Sequence, residues 1–207
     1  QNRDLMMNAG VIPILLQILL SVTSVSMNLK EPAAATLANL ATAVEADEAY
    51  TAGNLPDMGK HIGNVAESGN MEANIPDPGK GMRSILDSDE TISQLLSLLN
   101  LVGPAIQAHL LRALHGMAVS ASPSIAGAVR EKMREGSAYQ LLLPFCDMKD
   151  MEVRVNAVRL LDKLSEGGIE DEFCELFGQT YMSALVKLLS SERDDEKVAA
   201  AGVISKL

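Results

Sequence analysis

Residues 32–42 have the sequence PAAATLANLAT, and the same apolar pattern recurs without gaps in three later segments. These are residues 109–119 (HLLRALHGMAV), 156–166 (NAVRLLDKLSE) and 199–207 (AAAGVISKL). Two aligned positions are apolar in every copy: Leu37, Leu114, Leu161 and Ile204 at the first, and Leu40, Met117, Leu164 and Leu207 at the second. A spacing of three places both positions on one helix face. The pattern therefore predicts four similar helices, one in each unit of a repeat.

The distances between the copies indicate how the repeats are arranged. Residues at the second apolar position are separated by 77, 47 and 43 residues. Periods of about 40–47 residues are typical of helical repeats that stack into a solenoid. The first separation exceeds one period by roughly 30–35 residues, which indicates an insertion. We therefore predict an all-α, right-handed solenoid with repeats at residues 1–45, 86–120, 121–166 and 167–207, and a flexible, disordered insertion at 46–85.

The insertion also differs in composition from the rest of the chain. Residues 51–81 contain 6 of the 15 glycines and Pro56, Pro76 and Pro78. A seven-residue pattern occurs twice, as NLPDMGK at 54–60 and as NIPDPGK at 74–80. Pro-Asp followed by Gly is typical of turns. This favours a flexible surface loop, and a partner-binding linear motif is the alternative interpretation.

Single residues mark the expected helix boundaries. Gly10 is predicted to end the first helix, because glycine is common just beyond a helix C-terminus. Pro32 is predicted to open the helix over 32–42, and Gly103-Pro104 to open the equivalent helix of the second repeat. Asp150 is predicted to cap a helix that begins at Met151.

Composition and charge exclude several classes of function. The chain of 207 residues carries 17 basic and 27 acidic side chains, a formal net charge of −10. Binding to nucleic acid or to an anionic membrane is therefore not expected, because both need a basic surface. Residues 11–20 form the longest apolar stretch, which is too short for a transmembrane segment. The chain begins with Gln1 and stops within a helical pattern, so we expect a piece of a longer protein.

The sequence resembles a known family. Residues 2–20 (NRDLMMNAGVIPILLQILL) resemble the first two helices of an armadillo repeat, and residues 32–42 resemble its third helix. Together with Gly103-Pro104-Ala105-Ile106, the chain is similar to the C-terminal armadillo region of plant U-box E3 ubiquitin ligases. Within that family it most resembles the subgroup linked to senescence and immune cell death. The resemblance implies a solenoid of about four armadillo-like repeats.

The resemblance also implies a function in protein ubiquitination. In that family the U-box recruits the ubiquitin-conjugating enzyme without a covalent intermediate, and the armadillo region binds a protein substrate or regulator. No U-box lies within these residues, so this chain would be the recognition part. Relatives attach peripherally to the plasma membrane, and we expect a cytoplasmic protein with two reduced cysteines. The alternative is a non-ligase armadillo scaffold or transport adaptor.

We find no motif that predicts chemistry in this chain. His109 and His115 are six residues apart, which places them about 240° apart around a helix and so on different faces. The remaining His61 and the cysteines Cys146 and Cys174 do not complete the spacing of a metal site. The sequence therefore predicts no catalytic residue, no metal and no cofactor.

The resemblance implies a candidate binding groove. In peptide-binding armadillo proteins, the third helices line a concave groove in which an Asn binds the backbone of the partner and a Trp packs on its side chains. The Asn position is occupied here by Asn39, Gly116, Lys163 and Lys206. The Trp position is occupied by Ala35, Arg112, Arg159 and Gly202. One Asn and no Trp remain, so binding of basic peptides as in nuclear import is not expected.

A row of cations replaces the Asn and Trp side chains. The predicted partner-binding residues are Asn39, Arg112, His115, Arg159, Lys163 and Lys206. Arginine and lysine at these positions would favour a protein partner with acidic segments, through charge-assisted hydrogen bonds. The alternative is a solvated face on which the charges have no common role.

Overall fold

The computed structural model describes residues 2–22, 24–51, 80–120, 122–166 and 181–207. The regular structure of these residues is helical, with no strand among them, which confirms the all-α prediction. The first helices are α1 (Asn2–Asn8), α2 (Val11–Leu20), α3 (Ser24–Thr51), α4 (Lys80–Arg83), α5 (Thr91–Leu98) and α6 (Pro104–Ala118). The later ones are α7 (Pro123–Glu135), α8 (Ala138–Leu142), α9 (Met151–Leu164), α10 (Met182–Leu188) and α11 (Asp194–Ile204).

Four helices form the continuous layer on which the fold is built. Helix α3 packs against α6, α6 against α9, and α9 against α11. These helices contain the four repeated segments, and we call the solvent-exposed side of this layer the third-helix surface. The other helices pack behind it: α2 contacts α3, α7 contacts α6 and α9, and α10 contacts α11.

The repeated apolar positions form one core, as the periodicity predicts. Leu37, Leu114 and Leu161 are completely buried. The second position is buried at Leu40, Met117 and Leu164. Ile204 and Leu207 are partly buried and pack against the same core at the end of the layer. The helices therefore share their apolar faces with their neighbours, because one repeat cannot bury its own face alone.

Several helix boundaries confirm the sequence prediction. Gly10 follows α1 and has a φ of 72°, a left-handed conformation that glycine adopts without strain. Helix α6 begins at Pro104, with Gly103 immediately before it. The carboxylate of Asp150 accepts a hydrogen bond of 3.0 Å from the backbone N–H of Val153 and so caps α9.

The prediction that Pro32 opens a helix is wrong. Helix α3 begins at Ser24, and Pro32 lies inside it. A proline in a helix interior removes one backbone hydrogen bond and costs about 3 kcal/mol. Tertiary contacts offset this cost, because Ala33 and Ala34 directly after the proline are buried in the core. The buried Lys30 also donates a hydrogen bond from Nζ to the carbonyl of Leu19, which ties α3 to the end of α2.

The predicted insertion at 46–85 falls largely on residues 52–79, which are outside the described part of the chain. At its edges the structure differs from the predicted boundaries. Helix α3 continues to Thr51, and the side chains of Met82 and Ile85 are buried in the core. Burial of two large apolar side chains favours an ordered backbone, so packed structure extends into the predicted range.

No helix within the described ranges is long and apolar enough to cross a membrane. The thiol of Cys146 is buried, and burial raises its pKa far above the ordinary range of a cysteine. Cys174 lies outside the described residues.

A close approach between helix backbones occurs where α6 crosses α3. A Cβ atom added to Gly116 would lie 2.8 Å from the carbonyl carbon of Ala41 and 2.9 Å from its Cβ and its carbonyl oxygen. Atoms at that separation overlap, and a backbone carbonyl cannot rotate away as a side chain can. Glycine at this position therefore sets the distance between the two helices.

We expect Gly116→Ala to lower the free energy of unfolding by about 1–3 kcal/mol, because α3 and α6 must move apart to admit the methyl group. Gly127→Ala on α7 is the matched control, since a Cβ added there meets no atom within 4 Å. The control should be neutral or stabilise by about 0.5–1 kcal/mol through helix propensity. Urea unfolding of both variants measures the difference, and equal stabilities would contradict the packing described here.

Candidate functional site

The structure places five of the six predicted partner-binding residues on α3, α6 and α9, and Lys206 lies just after the end of α11. Asn39 is exposed on α3, and its Oδ1 accepts a hydrogen bond of 2.7 Å from Nη2 of Arg112 on α6. Two predicted residues from different repeats are therefore in direct contact. The Nε of Arg112 is buried and has no hydrogen-bond partner among the residues that the structure describes.

Two of the predicted cations have a carboxylate partner within the chain. Lys163 Nζ lies 2.7 Å from Glu166 Oε1, one turn further along. Lys206 Nζ lies 2.7 Å from Oδ1 of Asp162 on α9 and 2.9 Å from the carbonyl oxygen of the same residue. The second pair joins two repeats, whereas the first is local. Both pairs reduce the charge that the predicted cationic row offers to a partner.

His115 has a different environment from the one predicted. Its side chain is buried, and its pKa is lowered from 6.5 to about 4. Burial is the largest cause, and the positive charges of Arg159 and Lys163 lower the pKa further. The imidazole is therefore neutral at pH 7 and adds no charge to the third-helix surface.

One cleft on this surface lies where α6, α9 and α11 meet. It has a volume of about 650 Å³ and we call it the α9–α11 cleft. It is lined by His115, Val119, Arg159, Asp162, Lys163, Asp194, Asp195, Val198 and Ala199. Three predicted site residues, His115, Arg159 and Lys163, therefore share one cavity.

Arg159 differs from the other cations of this cleft. Its guanidinium has no hydrogen bond or ion pair with any residue of the described ranges. Its charge acts on its surroundings, because it contributes to the lowered pKa values of His115 and Asp195. An arginine in this situation can donate hydrogen bonds to an incoming acceptor.

A second, smaller cleft lies between the N-terminal halves of α6 and α9. Its volume is about 270 Å³, and we call it the α6–α9 cleft. It is lined by Pro104, Ala105, Ala108, His109, Arg112, Asp150, Glu152 and Asn156. Arg112 thus lines this cleft and also donates a hydrogen bond to Asn39 of the first repeat.

The sequence analysis missed the acidic and aliphatic residues of the α9–α11 cleft. Asp194 and Asp195 belong to a run of acidic residues that is typical of a solvent-exposed helix face, and they lie in the first turn of α11. Asp162 follows Arg159 by three residues on α9, so the helical spacing alone places it nearby. Val198 is 70% exposed. A single valine in a charged segment gives no indication that its side chain is exposed to solvent.

An ion pair on another side of the molecule explains how α11 is held against α9. The carboxylate of Glu196 is fully buried and pairs with Nε of Arg154. The hydroxyl of Ser191 also donates a hydrogen bond to Glu196, and Arg154 donates one of 3.0 Å to the carbonyl of Met148. The buried carboxylate of Glu196 therefore has two hydrogen-bonded neighbours, Arg154 and Ser191, and they position the wall of the α9–α11 cleft.

Comparison with protein families identifies the type of the first repeat. Residues 1–42 match the family described as Armadillo/beta-catenin-like repeat. That range includes α1, α2 and the segment that was aligned with the later repeats. No curated protein matches the chain at a significant level.

Comparison with solved structures covers nearly the whole chain. An engineered protein solved by the Northeast Structural Genomics Consortium superposes with a TM-score of 0.64 at 18% identity, over 99% of this chain and 39% of that one. A designed armadillo repeat protein in complex with the peptide (KR)4 superposes with a TM-score of 0.62 at 17% identity, over 99% of this chain and 67% of that one. The chain therefore has the fold of an armadillo repeat solenoid, and it spans about two fifths of the first of these structures.

The buried His115 predicts a pH dependence of stability. Its pKa of about 4 in the folded state lies below the unfolded value of 6.5, so the unfolded chain binds the proton first as the pH falls. Between pH 7.5 and 5 this should lower the free energy of unfolding by about 2 kcal/mol. Urea unfolding at a series of pH values measures it.

The variant His115→Gln should lose this part of the pH dependence, whatever its stability at pH 7.5. His109→Gln is the matched control on the same helix and should keep the slope of the wild type. A His115→Gln variant with an unchanged slope would show that another group is responsible.

Proposed function

We propose that this chain is a protein-interaction module that holds an extended segment of a partner protein on the third-helix surface. The observation that carries the proposal is the α9–α11 cleft, a cavity of about 650 Å³ that crosses three successive helices of the layer. One of its carboxylates, Asp162, is held from the neighbouring repeat by Lys206. A preorganised surface of this kind binds a flexible segment without ordering cost of its own.

The known structures support the same proposal. A designed protein of the same fold was crystallised in complex with the peptide (KR)4. A protein of this fold can therefore bind a peptide. At 17% identity the comparison extends to the fold alone, so the chemistry of the partner must come from the side chains of this chain.

A substitution that fills a cleft with a large side chain tests whether peptides bind to the third-helix surface. Peptides selected on the immobilised chain from a random twelve-residue library serve as probes. Ala105 is exposed in the α6–α9 cleft, and Ala105→Trp should weaken the selected peptides at least about tenfold, because a filled cleft excludes the partner segment. Fluorescence anisotropy with labelled peptides measures the affinities.

Gln140→Trp on α8 is the matched control, because Gln140 is exposed on a helix outside the third-helix layer. It should change the affinity less than about twofold. Peptides that respond to the change at Gln140 and not at Ala105 would place binding on another surface and contradict the proposal.

For the parent protein we propose a U-box E3 ubiquitin ligase that acts in protein ubiquitination in the cytoplasm. This chain would select the substrate or regulator, and the U-box would supply the contact with the ubiquitin-conjugating enzyme. The support is the resemblance of residues 2–20 and 32–42 to that family, together with the armadillo match over residues 1–42.

The reading frame upstream of Gln1 tests the ligase proposal first. A U-box should be encoded there, and the full-length protein should ubiquitinate itself with ubiquitin, activating enzyme and conjugating enzyme. A full-length protein with a folded U-box and no such activity, or one that has no U-box, would favour an armadillo scaffold or transport adaptor.

A further inference from the structure

The charged residues that line the α9–α11 cleft indicate which charge its ligand carries. This inference rests on the proposed function. It contains two cations, Arg159 and Lys163, and three carboxylates. A count of formal charges alone would therefore predict a preference for basic ligands. The hydrogen bonds of these groups reverse that expectation.

Each carboxylate of the cleft is already paired with a cation. Asp162 pairs with Lys206 at 2.7 Å, and Asp194 pairs with Lys197 at 2.9 Å. Asp195 accepts two hydrogen bonds from Arg193, of 3.0 Å to Oδ1 and 2.7 Å to Oδ2. A basic ligand would have to displace these intramolecular partners.

The cations of the cleft are less completely paired. Lys163 has Glu166 as its partner at 2.7 Å. Arg159 has no ion pair or hydrogen bond within the described part of the chain. The guanidinium of Arg159 is therefore the charged group of this cleft that is open to a new partner, and it carries up to five donors in a planar arrangement.

The ionisation of the neighbouring groups is consistent with a positive potential in the cleft. The pKa of Asp195 is lowered, first by its hydrogen bonds with Arg193 and to a smaller extent by the charge of Arg159. The pKa of Glu166 is lowered as well, mainly by Lys163. Arg159 thus contributes to the stability of one neighbouring carboxylate in its ionised form, that of Asp195.

The shape of the cleft restricts the anion further. Val198 is 70% exposed on α11, and Val119 is half-buried at the end of α6. Both line the cleft together with Arg159. A side chain with an aliphatic stem and a terminal carboxylate matches these walls, because its methylene groups can cover the valine while the carboxylate reaches the guanidinium.

We propose that the α9–α11 cleft binds a glutamate side chain of the partner segment, with its carboxylate on Arg159 and its methylene stem against Val198. The partner is thus a protein with an acidic extended segment. This preference is opposite in sign to the (KR)4 peptide held by the designed protein of the same fold.

Three labelled octapeptides test the proposal: (Glu-Ser)4, (Gln-Ser)4 and (Lys-Ser)4. The wild-type chain should bind (Glu-Ser)4 about tenfold more tightly than (Gln-Ser)4, since a hydrogen-bonded charge contributes of this order. The preference should become smaller but persist when the salt concentration is raised, because Arg159 is partly exposed while a pair in direct contact is screened less than distant charges. Fluorescence anisotropy at two salt concentrations measures both effects.

Substitution of Arg159 assigns the effect to one residue. Arg159→Gln should bind (Glu-Ser)4 and (Gln-Ser)4 equally, and Arg159→Glu should bind (Lys-Ser)4 more tightly than the wild type does. Lys149→Gln is the control with the same loss of charge, since Lys149 is exposed and does not line this cleft. It should leave the preference for (Glu-Ser)4 unchanged, and thermal unfolding confirms that all variants are folded.

The outcomes separate this inference from the proposed function. Equal binding of the glutamate and glutamine peptides, or a glutamate preference that survives Arg159→Gln, would overturn the inference. If Ala105→Trp still weakened peptides selected from the random library, the proposed function would stand without it. Absence of binding by all three octapeptides and by the library peptides would contradict both.

Discussion

The structure depends on the close contact between the backbones of α3 and α6. At the crossing of α3 and α6, Gly116 lies against the carbonyl group of Ala41, at a distance that leaves no room for a Cβ atom. This approach lets the large side chains on either side, such as Leu37 and Leu114, be completely buried. A repeat protein gains most of its stability from such contacts between neighbours. The geometry of the third-helix surface therefore depends on how closely the helices pack where they cross.

The same contacts explain why this surface lacks the Asn and Trp side chains of the peptide-binding groove that the family resemblance implies. Gly116 occupies an Asn position and Gly202 a Trp position, and both are used for packing. A Cβ atom added to Gly202 would lie 2.1 Å from Oδ1 of Asp162, a carboxylate that is held in place by Lys206. Larger residues at either position would push neighbouring helices or side chains apart. Recognition must therefore rely on the residues between these crossings, such as Arg112 and Arg159.

Burial made part of the fold predictable from the sequence. The apolar positions from Leu37 to Leu164 could be aligned because burial imposes a helical spacing on each repeat. Gly10 and Asp150 could be interpreted locally, since a helix end needs a partner for its own backbone groups. Pro32 could not, because the contacts that keep α3 helical come from other elements, such as the carbonyl of Leu19 that binds Lys30.

The positions of the candidate-site residues could be predicted from the sequence, but which of their charges are paired could not. The residues Arg112, Arg159 and Lys206 fall on one surface because the repeat register places them there. Their partners are distant in sequence: Asn39 lies 73 residues from Arg112, and Asp162 lies 44 residues from Lys206. Among the predicted cations, only Lys163 has a partner that follows from helical spacing, namely Glu166. The unpaired guanidinium of Arg159 is recognised only when the ion pairs and hydrogen bonds of the described residues have been assigned.

This distribution of pairs resolves an apparent conflict between the acidity of the chain and an acidic partner. The net charge of −10 repels an anionic segment at long range. At physiological ionic strength that repulsion is screened over about 8 Å, whereas a carboxylate in direct contact with a guanidinium is screened much less. In the proposed complex, the whole-chain charge would therefore mainly slow the approach of an acidic segment, and the guanidinium of Arg159 would determine how long the segment stays bound. Such a surface would be selective. It would repel most anionic segments, and only a segment whose shape brings a carboxylate to Arg159 would gain the stabilising contact.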